Sequence, residues 1–246
     1  MTAPHTFSIF DAMAHPDLWA GWFRDERSWR NWRIFLAALF GLPINRFDTS
    51  LVELCTGRTV LPAGGFSEAW LVCGRRAGKS FILALVACYL SVFKDWKPYL
   101  APGEVGTVKI IATDKKQAKV IYRYCRALLL EVPSIEELVT KETEEQIELT
   151  NGIVIEIQSA SFRSVRGFTL IAALCDELAF WRSDETNANP DTEIISAIKP
   201  AMATIPGAFF WRRQVRIRGV VSCGEHIDSI GVRTVMCWFG RRRREP

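Results

Sequence analysis

Apolar and polar positions along this chain follow two periods in turn. From residue 17 to 40, DLWAGWFRDERSWRNWRIFLAALF sets Trp19, Trp22, Trp29 and Trp32 at helical spacing, opened by Asp17 after Pro16 and closed by Gly41 and Pro43. The spacing predicts a helix or two. An aromatic stripe of this kind is expected to pack inside the protein rather than stack on a partner. Residues 44–65 read as turns. AWLVC at 69–73 is then an apolar run of strand length, and FILALVACYLSVF at 81–93 an apolar helix. After a loop at 94–106, TVKIIATD predicts a second buried strand ending at Asp114, where the helix DKKQAKVIYRYCRALLLEV begins. Residues 146–157, QIELTNGIVIEI, are two alternating runs about Asn151 and Gly152, a strong hairpin signal. SASFRSVRGF follows as a polar loop, and TLIAALCDE as another buried strand. Strands alternating with helices predict an α/β fold with a mainly parallel sheet flanked by helices, preceded by an N-terminal helical segment.

The turn between AWLVC and its helix carries the first candidate chemistry. GRRAGKS at 74–80 approaches the phosphate-binding pattern G-x-x-x-x-G-K-S/T, with Cys73 in the place of the first glycine and Gly74 one position late. Three things are required: backbone N–H groups converging on phosphates, a lysine near the β and γ phosphates, and a hydroxyl for Mg2+. Residues 74–78, Lys79 and Ser80 offer all three. The apolar helix that follows would set its N-terminal dipole under the phosphates.

The second candidate is the end of LIAALCDE, where an apolar strand finishes in Asp176 and Glu177. A carboxylate at such a strand end holds the Mg2+ shell in P-loop ATPases, and a second one beside it can orient and deprotonate the attacking water. The two motifs lie about a hundred residues apart and reinforce each other. No N-K-x-D guanine-reading motif occurs, which argues against a GTPase.

Composition narrows the setting. With 246 residues and 49% hydrophobic positions the chain can bury one sizeable α/β core. No apolar run reaches the ~20 residues of a membrane span. The first residues lack a basic stretch leading into an apolar one, so no secretory signal is expected. Seven scattered cysteines and three dispersed histidines argue against a disulfide framework and a zinc site, and for a reducing compartment. The net charge of +4 is misleading: residues 1–208 hold 22 basic against 24 acidic side chains, whereas residues 209–246 hold nine arginines, no lysine and three acids. Overall charge thus says nothing about the body of the protein.

Over residues 17–208 the sequence resembles the large terminase subunit of tailed bacteriophages, the ATP-driven motor that packages DNA. The resemblance rests on VCGRRAGKS and ALCDE, with ELCTGRT, LAPGEVGTVKIIATDKKQA, SASFRSVRGFT and IKPAMATIPGA in the family's order. It implies ATP and Mg2+ as ligands, with Gly74, Ala77, Gly78, Lys79 and Ser80 around the phosphates. Ser80 and Asp176 would lie on Mg2+ and Glu177 would be the catalytic base. It also implies that Arg75 or Arg76 contacts the γ-phosphate, and that Arg58, in the TGR of residues 56–58, contacts adenine. The implied partners are double-stranded DNA, a portal, a small terminase subunit and further copies in a ring, in the bacterial cytoplasm and without a membrane. Arg163 and Arg166, in the polar loop, are placed to couple nucleotide state to DNA phosphates or to a neighbouring subunit.

The resemblance implies three parts: an N-terminal helical segment at 1–55, an incomplete P-loop ATPase domain at 56–208, and an arginine-rich tail at 209–246. Family members continue with a further strand, a coupling motif and a nuclease domain, and the tail shows none of these in its letters. The genetic code permits FFWRRQVRIRGVVSCGE to become LLASPSPYSRRGVLWGA in a shifted frame, a string that looks like the coupling segment. A frameshift near Ala208 is therefore expected, and with it a sheet lacking one strand beside the site. The competing expectations are a non-catalytic remnant with weak nucleotide or DNA binding, and an unrelated P-loop helicase-like ATPase.

Overall fold

Local signals start most helices. The computed structural model describes residues 7–73, 77–160, 167–178, 181 and 190–215, without the side chains of 72, 73, 190–193 and 212–215. Helix α1, Ile9–Ala14, opens on a reciprocal cap in which Ser8 and Asp11 satisfy each other's backbone N–H groups. The tryptophan-rich stretch is not one helix from Asp17. It is a short 3-10 turn, Ala20–Phe23, followed by α2, Glu26–Phe40, because the Asp25 side chain accepts from Ser28 N–H and restarts the helix. Helix α3, Thr49–Thr56, lies in the segment expected to be turns; its apolar Val52 and Cys55 are three apart and both buried.

The remaining elements are β1 (Glu68–Cys73), α4 (Lys79–Val92), β2 (Gly106–Ala112), α5 (Lys115–Leu130), α6 (Pro133–Glu136), β3 (Val139–Glu142), β4 (Gln146–Leu149), β5 (Ile153–Ser159), β6 (Thr169–Cys175), α7 (Pro190–Met202) and β7 (Phe209–Val215). They build a seven-stranded sheet in the order β1-β7-β6-β2-β5-β4-β3. The first five strands pair in parallel, and β4 and β3 extend the edge as antiparallel strands. The Asn151–Gly152 turn joins β4 to β5 as expected, closed by the bond from Gly152 N–H to the Leu149 carbonyl.

The expected loss of a strand after Ala208 does not occur. Residues Phe209–Val215 form β7, inserted in parallel between β1 and β6. Phe209, Phe210 and Trp211 are apolar and strand-prone, and all three are buried, Trp211 completely. Residues 216–246 lie outside the described residues.

Helices cover both faces of the sheet. On one side α1, α2, α4 and α5 enclose the larger core, with Leu71, Val108, Ile110, Ile155, Leu174 and Trp211 from the strands. On the other, Ile194 and Ile198 of α7 pack with Trp70, Ile111, Ala173, Cys175 and Phe210. The end of α2 and the start of β1 meet through two glycines. A Cβ on Gly65 would lie 2.3 Å from the Leu39 carbonyl oxygen, and one on Gly41 would lie 2.5 Å from Gly65 N. Cys55, Cys88, Cys125 and Cys175 are buried and in no disulfide, and burial pushes the Cys88 thiol well above its usual range. Among the described residues no helix is long and apolar enough to cross a membrane.

The lysine in the middle of β2 is accommodated by pairing. Lys109 is wholly buried; its Nζ lies 2.8 Å from Glu156 Oε2 on the facing strand and 3.3 Å from the centre of the Phe168 ring. Burial lowers the Lys109 pKa from the ordinary 10.5, with Glu156 opposing the shift in part. The folded protein thus gives up this proton before the unfolded chain does, and the Lys109 contribution to stability grows as pH rises from the lowered value towards 10.5. Glu156→Gln is expected to destabilise the protein by about 3 kcal/mol near neutral pH, because it leaves a buried ammonium without its carboxylate. That deficit should shrink as pH rises towards 10.5 and the buried ammonium gives up its proton, since a neutral amine needs no counter-charge. Urea unfolding at the two pH values measures both, and an equal deficit would rule out the ion pair as its source.

Candidate active site

The turn after β1 leads into α4 through Ala77 and Gly78. Gly78 holds a left-handed conformation, φ +80°, and as N-cap offers no side chain to the first turn of α4. The first N–H groups of a helix suit an anion, and the dipole of a 14-residue helix favours one. Lys79, the first residue of α4, is 5% exposed. A surface lysine is therefore excluded; a cation this enclosed belongs where negative charge is shared with it. Gly74, Arg75 and Arg76 lie outside the described residues.

The tryptophans of α2 brace this turn. Trp32 Nε1–H donates to the Ala77 carbonyl at 2.8 Å, and the bond is buried. Trp29 and Phe23 pack on Phe81, the third residue of α4, which also meets Tyr124 of α5 edge-on. The stripe is packing, as its spacing predicted, and it also anchors Ala77 before the start of α4. The identity of the bonded carbonyl had no signal in the sequence.

Asp176 and Glu177 leave β6 at the same edge of the sheet. The strands β1, β7 and β6 are parallel, so the turn after β1 and the carboxylates after β6 share the C-terminal edge, roughly 10 Å apart laterally at ~4.8 Å per strand. Asp176 is fully buried and held at three points. Its N–H donates to the Ile111 carbonyl at 2.7 Å, its carbonyl accepts from Trp181 Nε1 at 3.0 Å, and its Oδ2 accepts from Gln117 Nε2 at 3.2 Å. Glu177, half-buried, has φ +52°, the one positive φ of a non-glycine among the described residues. This strained conformation breaks the strand alternation, so that adjacent carboxylates need not point to opposite faces.

The Arg58 guanidinium lies 5.7 Å from the centre of the Phe66 ring, just before the start of β1. Arg163 and Arg166 lie outside the described residues. Gln117 and Trp181 contact Asp176 and had not been singled out in the sequence. Gln117 lies in the first turn of the helix read as beginning at Asp114, but nothing local to it pointed to Asp176.

The donor set suits a magnesium–nucleotide complex. Among the described residues no group of three or more His, Cys, Asp or Glu could hold a metal ion. Mg2+ needs no such cluster, since it is bound by one or two protein oxygens with phosphate and water. Trp32→Phe keeps a ring in place and removes only the donor to the buried Ala77 carbonyl. It is expected to cost about 1–3 kcal/mol, a melting point lower by roughly 2–10 °C in thermal unfolding.

No protein-family model and no curated protein matches the chain. Solved structures do. The HK97 bacteriophage large terminase aligns with a TM-score of 0.54 at 15% identity, over 88% of this chain and 45% of that one. The ATPase domain of the Thermus phage P74-26 large terminase aligns with a TM-score of 0.50 at 16% identity, over 83% of this chain and 84% of that one. The chain thus spans about half the length of the HK97 protein. At these identities the likeness is one of fold: a mixed α/β domain with a mostly parallel seven-stranded sheet flanked by helices, as in phage large-terminase ATPase domains.

Proposed function

We propose that this chain is the ATP-hydrolysing motor domain of a phage terminase large subunit. The observation that carries the reading is a buried Lys79 at the N-terminus of α4, capped by no side chain, with Asp176 and a strained Glu177 on the same sheet edge. The fold shared with terminase ATPase domains supports it. Residues 74–80 would cradle the triphosphate, with Lys79 at the β and γ phosphates and Arg75 or Arg76 at the γ-phosphate. Ser80 and Asp176 would hold Mg2+, which when bound supplies positive charge to the phosphate oxygens. Glu177 orients a water and takes its proton as the water oxygen bonds to the γ-phosphorus; the bond to the β-phosphate oxygen breaks and ADP leaves. Arg58, whose guanidinium lies over the Phe66 ring, would contact adenine.

In the intact motor, DNA would be gripped through its phosphates, since packaging must proceed on any sequence. A ring of copies on a portal, with a small subunit, in the host cytoplasm, completes the proposal. Residues 209–246 remain proposed to be read out of frame relative to this family, with the letters FFWRRQV serving as a strand nonetheless. Resequencing codons 200–246 in all frames is expected to reveal a one-base slip into a coding frame like SPYSRRGVLW; an intact frame with no such sequence would remove this part.

The purified chain is expected to hydrolyse ATP in a Mg2+-dependent manner, with Lys79→Ala and Glu177→Gln each lowering kcat at least about 100-fold. Glu177→Gln should still bind nucleotide. Hydrolysis indifferent to both substitutions would sink the site assignment. Nucleotide binding without turnover in the unsubstituted chain would instead make it a non-catalytic remnant.

A further inference from the structure

Asp114 caps α5 by accepting from Gln117 N–H at 2.8 Å, which places Gln117 at the third helical position. In the reciprocal form of this cap, as Ser8 and Asp11 make it on α1, the third residue's side chain returns to the cap backbone. Gln117 does otherwise. Its Nε2 reaches across to β6 and donates to Asp176 Oδ2 at 3.2 Å, a contact between residues 59 apart in the chain. An amide donor on one oxygen fixes the rotation of a carboxylate whose backbone is already held by Ile111 and Trp181.

Helix α5 is in turn tied to the β3–β4 hairpin. Lys115 pairs with Glu145, Lys119 with Glu144 and Arg126 with Glu142. The Tyr122 hydroxyl reaches the carbonyls of Thr143 and Gln146, and burial holds its pKa up at about 12, so it stays a donor. Each exposed ion pair alone contributes little, but four contacts along one helix face hold helix and hairpin as one body. Gln117 is the side chain by which that body touches Asp176.

We propose that Gln117 is a positioning residue for the metal-holding carboxylate: it orients Asp176 towards the cation of a metal–nucleotide complex, and links the α5–hairpin body to the state of the site. This rests on the nucleotide reading above. Outer partners of this kind typically contribute 10–100-fold to metal affinity.

The test uses the full chain, Mn2+ as a paramagnetic substitute for Mg2+, and ADP. Mn2+ binding is followed by electron paramagnetic resonance, and metal-free ADP binding by calorimetry. Gln117→Leu removes the donor at similar length, and Gln117→Glu sets a like charge beside Asp176. Both are expected to weaken Mn2+ retention in the ADP complex by about 10-fold or more, the Glu variant further, with metal-free ADP affinity unchanged. If Mn2+ retention in either folded variant equals that of the unsubstituted chain, the positioning role is overturned. An equal loss of metal-free ADP binding would also overturn it, by showing a general structural effect. If the unsubstituted chain binds ADP but retains no Mn2+, Asp176 is not a metal carboxylate; the metal assignment of the proposed function then fails first and takes this inference with it, while nucleotide binding stands.

Discussion

A helix that is apolar on every side must be enclosed, and α4 is that helix. Eleven of its fourteen residues are buried, from Lys79 at its start to Ser91 near its end. The sheet covers one flank, α5 another, and the aromatic face of α2 the first turn. The enclosure holds the N-terminus of α4 still while Gly78, with no side chain to cap it, leaves that terminus's donors to the turn. A phosphate site built from backbone N–H groups needs this immobility, since its charge complementarity resides in dipole positions.

The carboxylate end of the site depends on a strand irregularity. In the pairing of β2 with β6 the register slips between Thr107 and Val108, so that Ile171 and Ala172 both face the larger core. Beyond the slip, Ala173 and Cys175 face α7, and Leu174 faces α4 and α5. Asp176 continues the phase of Leu174 and meets Gln117 from α5. Regular alternation through Ile171 would have sent Asp176 to the opposite face, because a one-residue shift inverts every later side chain. The left-handed Glu177 then turns the chain away from the strand.

Within this frame α2 acts as a splint along β1. Near its start Trp32 grips Ala77, and at its end the glycine pair Gly41 and Gly65 brings backbone against backbone at the beginning of β1. The N-terminal segment, read from sequence as a separate helical part, is thus fastened near both ends of the strand that leads to the Ala77–Gly78 turn. Likewise β7 fills the gap between β1 and β6, where Phe209 and Trp211 face one core and Phe210 the other.

The sequence by itself determined the strands AWLVC, TVKIIATD and TLIAALCDE, the helices after the first two, the Asn151–Gly152 hairpin, and the two motifs whose ends could meet at one edge of a parallel sheet. Those features are local: apolar runs, periods and caps state them within a dozen residues. It did not determine α3, whose two buried apolar residues gave too faint a period among turn residues, nor β7, whose strand-prone start was masked by the arginines behind it. Nor could it determine which face Asp176 takes, that Gln117 forgoes its own cap to reach it, or that Arg58 lies over the Phe66 ring. Those are decided by the register between strands and the packing of helices distant in the chain, and no short stretch of sequence encodes either.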